Sequence, residues 1–472
     1  MAADRMSTLL DMVGSGSDLR RAILCALAMA GCGGGSGGSG GSSDGGSDGA
    51  DAAPEADAGP EGPGAEYIFD PARLPAFEIE MAAADWQWLK DNALLEQYRP
   101  ASLLFEGQRV DNAAIRFKGD FGSLVSCFDG DTQICPKLSI KVSVNTYDKD
   151  QRFYGLRKLN FNSSVRDPSF MHEVIGYRLF RDMGLIAPRT NHATLTVNGE
   201  KLGLFVLVEE VDKEFLQDHF ADDEGNLYKS VWPQFDTAEP YLDGLHTNEE
   251  EADVGDMLAF HEMVEAATDE SFQVDAAGWL DPAALATYLA VDRATANTGG
   301  ISGFYCYPPD LGDCRNQNYY WYHDPAQGMV LIPWDLDYAL YDVNSDLGRA
   351  ENEPEPNGCE PVKACRVWHV DCTDPENQGV YLLPAQCDKL YGLVHRATWD
   401  PYLAELERLV DGPLASDELT PWLDMLRAKI APAVADDAFG PGTQAYEEQN
   451  VFLDEVLAEQ RNAIRSLLSS LP

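Results

Sequence analysis

Positive charge is scarce in this sequence. Among 472 residues, 34 lysines and arginines face 79 aspartates and glutamates, a net charge of −45 with histidine neutral. So acidic a surface repels nucleic-acid phosphates and anionic lipid head groups alike, and it excludes nucleic acid as a partner. The shortage also marks out every lysine that sits inside an apolar segment. Paired metal-binding cysteines are absent too: the ten cysteines contain no C-x-x-C and are irregularly spaced, which argues against structural zinc. No repeat of solenoid period occurs. The apolar run near the start is too short for a permanent membrane span.

That run, "LRRAILCALAMAGC", combines two arginines, a short apolar stretch and a small-residue approach to Cys32, the pattern of a secretory signal. Its end, Met-Ala-Gly-Cys, resembles a bacterial lipobox, in which the cysteine is acylated. Residues 1–32 are therefore expected to be a lipoprotein signal peptide. Residues 33–64, rich in Gly, Ser, Asp and Pro, cannot bury enough apolar area to fold and read as a disordered tether. The expectation is an exported bacterial lipoprotein, periplasmic or cell-surface, held to the membrane by a lipid on Cys32. Without Cys25 and Cys32, eight cysteines remain, an even number that favours disulfides in an exported chain. Cys127 with Cys135 and Cys306 with Cys314 would each staple a short loop. Pairing among Cys359, Cys365, Cys372 and Cys387 is open.

Residues 65–472 have globular composition. Up to about residue 230 the chain reads as strands: "AFEIEMA", "ASLLFEGQRV", "AAIRFKG", "KLSIKVSV", "LRKLNFNS", "NHATLTVNGEKLGLFVLVEEV" and "GNLYKS" alternate at period two. "VNGEKLG" marks a hairpin turn. One helix interrupts them, "DPSFMHEVIGYRLFRDMG", with Asp167 as N-cap, Pro168 in the first turn and Gly184 at the exit. From about 231 to 472 helical spacing dominates, broken by one hairpin, "NQNYYWYHDPAQGMVLIPWDLD". The expected fold is α+β, strand-rich first and helix-rich second, with a cleft between the halves.

That hairpin carries the sharpest chemical signal. An apolar strand, "GMVLIPWDLD", ends in two aspartates. Counting outward from "HDPAQG" pairs Tyr322 with Met329 or Val330 and sets Asn318 opposite about Asp335. Asp335 and Asp337 share a strand face. Two carboxylates and a carboxamide in one small volume need a cation, and all-oxygen ligands suit magnesium or manganese. A turn-capping role for the aspartates and a structural calcium site are the competing readings.

Lys141 stands mid-strand in "KLSIKVSV", and Glu173 lies among Phe170, Tyr177 and Phe180 at helical spacing. A carboxylate on an apolar stripe needs a cationic partner. Lys141 with Glu173 is the expected pair, with Lys118 or Lys137 as substitutes. "RFKGDFGSL" adds Arg116, Lys118, Gly119 and Gly122 at a strand end, where glycines let a backbone approach phosphates.

The blocks "IRFKGDFGSL", "KLSIKVSV", "GLRKLNFNSSVRDPSFMHEVIGYRLFRDMGLIAP", "VNGEKLGLFVLVEEVDKEFL", "GNLYKS", "NQNYYWY" and "LIPWDLD", in this order, resemble the CotH (spore coat protein H) family of atypical protein kinases. The resemblance runs from about Leu74 to the carboxyl end and is strongest between Arg116 and Asp337. It implies a two-lobed, protein-kinase-like fold, ATP and Mg2+ or Mn2+ as cofactors, and phosphate transfer to an unidentified protein substrate. It assigns Lys141 (or Lys118 or Lys137) to the ATP phosphates, and Glu173 to orienting that lysine. Asn318 and Asp335 would hold metal, Asp337 would bind or support a second ion, and Glu209 and Glu210 would line the adenine end. The family's general base lies five residues before the metal-binding asparagine. Asp313 has that spacing to Asn318. On the other alignment "GGISGFYCYPPDLG" is an insertion, Gly299 takes the base position, and the chain is a pseudokinase with a binding or surface-structural role.

Overall fold

The computed structural model describes residues 64–120, 122–297, 299–306, 314–340, 376–377 and 381–470. The amino-terminal strands close into a seven-stranded barrel. In chain order these are β1 (Ala76–Glu80), β2 (Arg99–Phe105), β3 (Gln108–Phe117), β4 (Ile140–Ser143), β5 (Lys158–Asn162), β6 (Thr190–Val197) and β7 (Glu200–Glu209). Around the barrel they run β1-β2-β3-β4-β5-β7-β6, and a parallel β1–β6 pairing closes the ring. The β6–β7 turn falls at Asn198 and Gly199, both left-handed (φ 50° and 80°), as a tight hairpin requires. "ASLLFEGQRV" is not one strand: Glu106 and Gly107 (φ 48° and 81°) turn the chain between β2 and β3, so the segment is itself a hairpin.

Two hydrophobic cores explain why β7 is apolar almost without interruption. Phe205 and Leu207 point into the barrel, with Phe77, Phe105, Phe153 and Phe161. Leu204, Val206 and Val208 point outward into a second core built by the helices. A strand buried on both faces loses its polar alternation. The second core also takes the helix α2 (His172–Asp182), which follows α1 (Ala83–Asp91), a helix not expected from the alternation. α2 starts later than its sequence signal. Asp167 still caps it, from the preceding turn, by accepting the His172 N–H at 2.9 Å and the Ser169 N–H at 2.9 Å.

β8 (Leu227–Lys229), β11 (Tyr319–Asp324) and β12 (Gly328–Pro333) form a second sheet, and β9 (Gly303–Cys306) pairs with β10 (Cys314–Arg315). Around them pack α3 (Gly255–Ala266), α4 (Pro282–Ala294), α5 (Trp399–Asp411), α6 (Ser416–Asp436) and α7 (Gly442–Ser470), each on a segment of helical spacing. The α+β architecture is thus as the sequence indicates. The Cys127–Cys135 and Cys306–Cys314 disulfides are present, and Cys387 is disulfide-bonded. The signal and Cys32, the tether up to residue 63, Asp313, Cys359, Cys365 and Cys372 lie outside the described residues.

Candidate nucleotide and metal site

The outer face of β3, β4 and β5 is polar and partly buried. Ile115, Phe117, Ile140, Val142, Leu159 and Phe161 fill the barrel interior, so Arg116, Lys141 and Asn160 between them point outward. Cross-strand register aligns Arg116 with Lys141 and Lys141 with Asn160. Lys118 and Asn162 lie two residues further along the same face.

These two rows have different acidic partners. Lys118 Nζ donates to Asn162 Oδ1 at 2.8 Å, and Asn162 Nδ2 donates to both Glu173 oxygens at 2.9 Å. Lys141 Nζ instead donates to Glu210 Oε1 at 2.7 Å, and Asn160 Nδ2 holds the other Glu210 oxygen at 2.7 Å. The expected Lys141–Glu173 pair therefore does not form. α2 delivers Glu173 to the row of Lys118, and the chain leaving β7 delivers Glu210 to the row of Lys141. Burial lowers the Lys141 ammonium to about 7, with Glu210 opposing that shift. Burial also lowers Lys118, opposed by Asp335 and Glu173. Arg116 pairs with Glu96 in the Lys141 row.

Two further sequence candidates sit elsewhere. Lys137 is buried against Asp437, 2.7 Å away, and makes no bond to Glu173. Glu209 turns from Lys141 and binds Arg189, accepting its backbone N–H at 2.8 Å and its Nε–H at 3.0 Å. Alternation accounts for this: consecutive residues at the end of β7 face opposite ways.

Past β12, Asp335 adopts a left-handed conformation (φ 52°), as does Asn318 before β11 (φ 64°). The ladder pairs Tyr322 with Val330 and Tyr319 with Pro333, so Trp334, not Asp335, lies opposite Asn318, and the Trp334 N–H donates to Asn318 O at 3.1 Å. The offset is one residue, set by the three-residue turn that Asp324 caps. α2 clamps the segment that follows. The Asp335 N–H donates to the Tyr177 hydroxyl oxygen at 2.8 Å, and His172 Nδ1 lies 3.3 Å from Asp337 O. Gly176 permits this approach, since a β-carbon there would lie 2.8 Å from Leu336 Cδ1. Asn318 reaches the same segment: a β-carbon on Gly299 would lie 3.0 Å from Asn318 Nδ2 and 3.6 Å from Tyr338 Cβ. Over it lies the "KGDFGSL" turn. Gly119 is left-handed (φ 134°), a β-carbon on Gly122 would sit 3.2 Å from the Tyr338 ring, and Arg166 bonds Gly122 O at 3.2 Å and Ser126 Oγ at 2.9 Å.

The site holds more buried acid than base. Burial, followed by Asp335, pushes Glu173 up to about 8. Burial, then Asp335, Glu173 and Asp167, push Asp337 well above the carboxylate range. Among the described residues no three His, Cys, Asp or Glu side chains enclose a metal position. An octahedral magnesium or manganese ion needs only one or two protein carboxylates when phosphate oxygens and water complete the shell, and this acid excess fits such an ion. Sequence reasoning missed Asn160 and Asn162. Their only signal was a polar residue every second position in "LRKLNFNS".

An α+β protein whose barrel, helix and acidic hairpin join a lysine, an amide and several carboxylates under a glycine turn has the equipment of a kinase-like site. The family model for CotH kinase protein matches residues 115–463, and the chain belongs to the CotH kinase family. The inner spore coat protein H of Bacillus subtilis (strain 168) is 25% identical over 146 residues, which cover 31% of this chain. The match spans 36% of that relative's own length. A Helicobacter pylori proinflammatory kinase, CtkA, aligns in structure over 73% of this chain and 95% of its own, with 12% identity and a TM-score of 0.29.

Proposed function

We propose that this chain is an exported, lipid-anchored protein kinase that transfers the γ-phosphate of ATP to a protein hydroxyl. The observation that carries the reading is the Lys118–Asn162–Glu173 chain of hydrogen bonds beside Asp335. Lys118 is the cation for the ATP phosphates, kept in place by Asn162, which Glu173 orients. Lys141, braced by Glu210, lies along the same face and adds positive potential. Asn318, Asp335 and Asp337 are the residues to hold magnesium or manganese, and such an ion offsets phosphate charge. Asp313 accepts the proton of the incoming hydroxyl. The lipobox ending at Cys32 supports membrane anchorage outside the cytoplasm.

One observation favours a second reading, a pseudokinase that binds nucleotide without efficient transfer. Gly299 stands directly beside Asn318, where the family's alternative alignment puts the base, and a glycine has no proton acceptor on its side chain.

Mature protein with labelled ATP and metal tests the first reading. Label should appear in an acceptor protein, fall sharply in Asp335→Asn, and fall in Asp313→Asn without loss of nucleotide-induced thermal stabilisation. Equal labelling by wild type and both variants would falsify the assigned roles. A thermal shift with no transfer supports the pseudokinase.

A further inference from the structure

Lys229 closes β8 and has no role in the site as described so far. Its ladder partner is Tyr320. Its Nζ lies 5.8 Å from the Tyr320 ring centroid and 5.5 Å from that of Trp334. Lys118 Nζ approaches the same Trp334 ring at 5.6 Å. Two ammonium groups, one from the barrel and one from the second sheet, thus share one indole, and Lys229 is close enough to Lys118 to disfavour its charge. Lys118 has Asn162 against it and carboxylates nearby. Among the described residues Lys229 has neither an ion pair nor a side-chain hydrogen bond; its ammonium lies over two aromatic faces.

In a chain with more than two acids per base, an ammonium left without a carboxylate is unusual. Cation–π contact is a weak attraction, too little to explain placing two like charges on one ring. The arrangement becomes favourable once an anion lies between them. Lys229 also lines a cavity of about 190 Å³ with Ser230, Trp232, Asp243, Arg315 and Asn316. Ser230 Oγ accepts the backbone N–H of Asn318 at 3.1 Å, which ties the cavity rim to the proposed metal ligand.

We propose that Lys229 is a polyphosphate-binding residue, a second cation that acts with Lys118 on a triphosphate. The inference rests on the nucleotide reading above and adds to it a contact from the second sheet. Lys229 raises the affinity for the phosphate tail and leaves the nucleoside untouched, because its neighbours are the hairpin aromatics and the cavity rim.

Calorimetric titration separates the parts. Wild type, Lys229→Met and Lys229→Arg are each titrated with inorganic triphosphate, with ATP and with adenosine, all in magnesium. Removing one charge-assisted phosphate contact is expected to weaken triphosphate and ATP binding about tenfold in Lys229→Met, with Lys229→Arg restoring most of it. Adenosine affinity should not change, and unliganded melting temperatures should agree among the three proteins. Unaltered triphosphate binding by Lys229→Met overturns this inference while leaving the nucleotide reading intact. So does an equal loss for adenosine. Wild-type protein that binds neither ATP nor triphosphate overturns both.

Discussion

Lys137 and Asp437, 300 residues apart in the chain, form a buried ion pair 2.7 Å long that joins the barrel to the carboxy-terminal helices. Asp437 also accepts the Leu204 N–H at 2.9 Å, and Lys137 Nζ donates to Leu204 O. Gly203, left-handed at φ 95°, makes room for it, since a β-carbon there would fall on the Asp437 carboxylate. Removing one partner strands a charge in a dry site. Asp437→Ala is therefore expected to cost about 3–5 kcal/mol in urea unfolding, whereas the double replacement Lys137→Met with Asp437→Leu should recover much of that loss. A cost below about 1 kcal/mol for the single variant would show that the pair is solvated.

Asn162 is expected to matter more than its uncharged side chain suggests. It links Lys118 to Glu173, accepting from one and donating to the other. Asn162→Leu removes the amide and leaves both partners unjoined. Metal-dependent ATP affinity, read by thermal shift across an ATP series, should fall about 10–100-fold, the usual effect of losing a group that orients a ligand. Asn160→Leu, which disturbs the Lys141–Glu210 row instead, should cost less. The reverse ranking would move the phosphate site to Lys141.

How legible this was in the sequence depended on which interactions are local. Alternation gave the strands, and the Asn198–Gly199 turn and the hairpin of β11 and β12 followed from spacing. The choice among Lys118, Lys137 and Lys141 was not legible. Lys118 and Lys141 share an outer barrel face, and only the packing of α2 against that face decides which row receives Glu173. The Asn318–Asp335 register missed by one residue because turn length alone fixes it. The role of Lys137 was hidden entirely, because its partner lies on the far side of the sequence.

His192 gives the stability a pH dependence. It is wholly buried; its Nε2 lies 2.8 Å from Phe170 O, and its Nδ1 has no partner among the described residues. Burial, helped by Lys429, lowers it to about 3 from its ordinary 6.5. Between those values the unfolded chain binds a proton that the folded chain refuses. Its stabilising contribution is complete above about pH 6.5 and is lost as pH falls, by up to about 1.4 kcal/mol per pH unit. His395, lowered to about 3 by burial, acts in the same direction. Urea unfolding from pH 6.5 to 4.5 should show a slope shallower by nearly one proton in His192→Gln. An unchanged slope would mean that water reaches the ring.

The position of the proton acceptor can be decided by moving it. A β-carbon on Gly299 would press closely on the end of the flexible Asn318 side chain at 3.0 Å and meet Tyr338 Cβ at an ordinary 3.6 Å, so Gly299→Asp can be accommodated by a small shift, with its carboxylate beside Asn318 Nδ2. If Asp313 is the base, Asp313→Asn should lower phosphate transfer about 10²–10⁴-fold with the ATP thermal shift retained. Gly299→Asp should then add nothing, because the hydroxyl proton already has an acceptor. The opposite pattern, a silent Asp313→Asn and a Gly299→Asp that gains transfer, places the base position at residue 299. The natural chain would then hold nucleotide and metal ligands around an acceptor site that cannot take the proton, and nucleotide binding itself would be the property its buried acids and paired lysines serve.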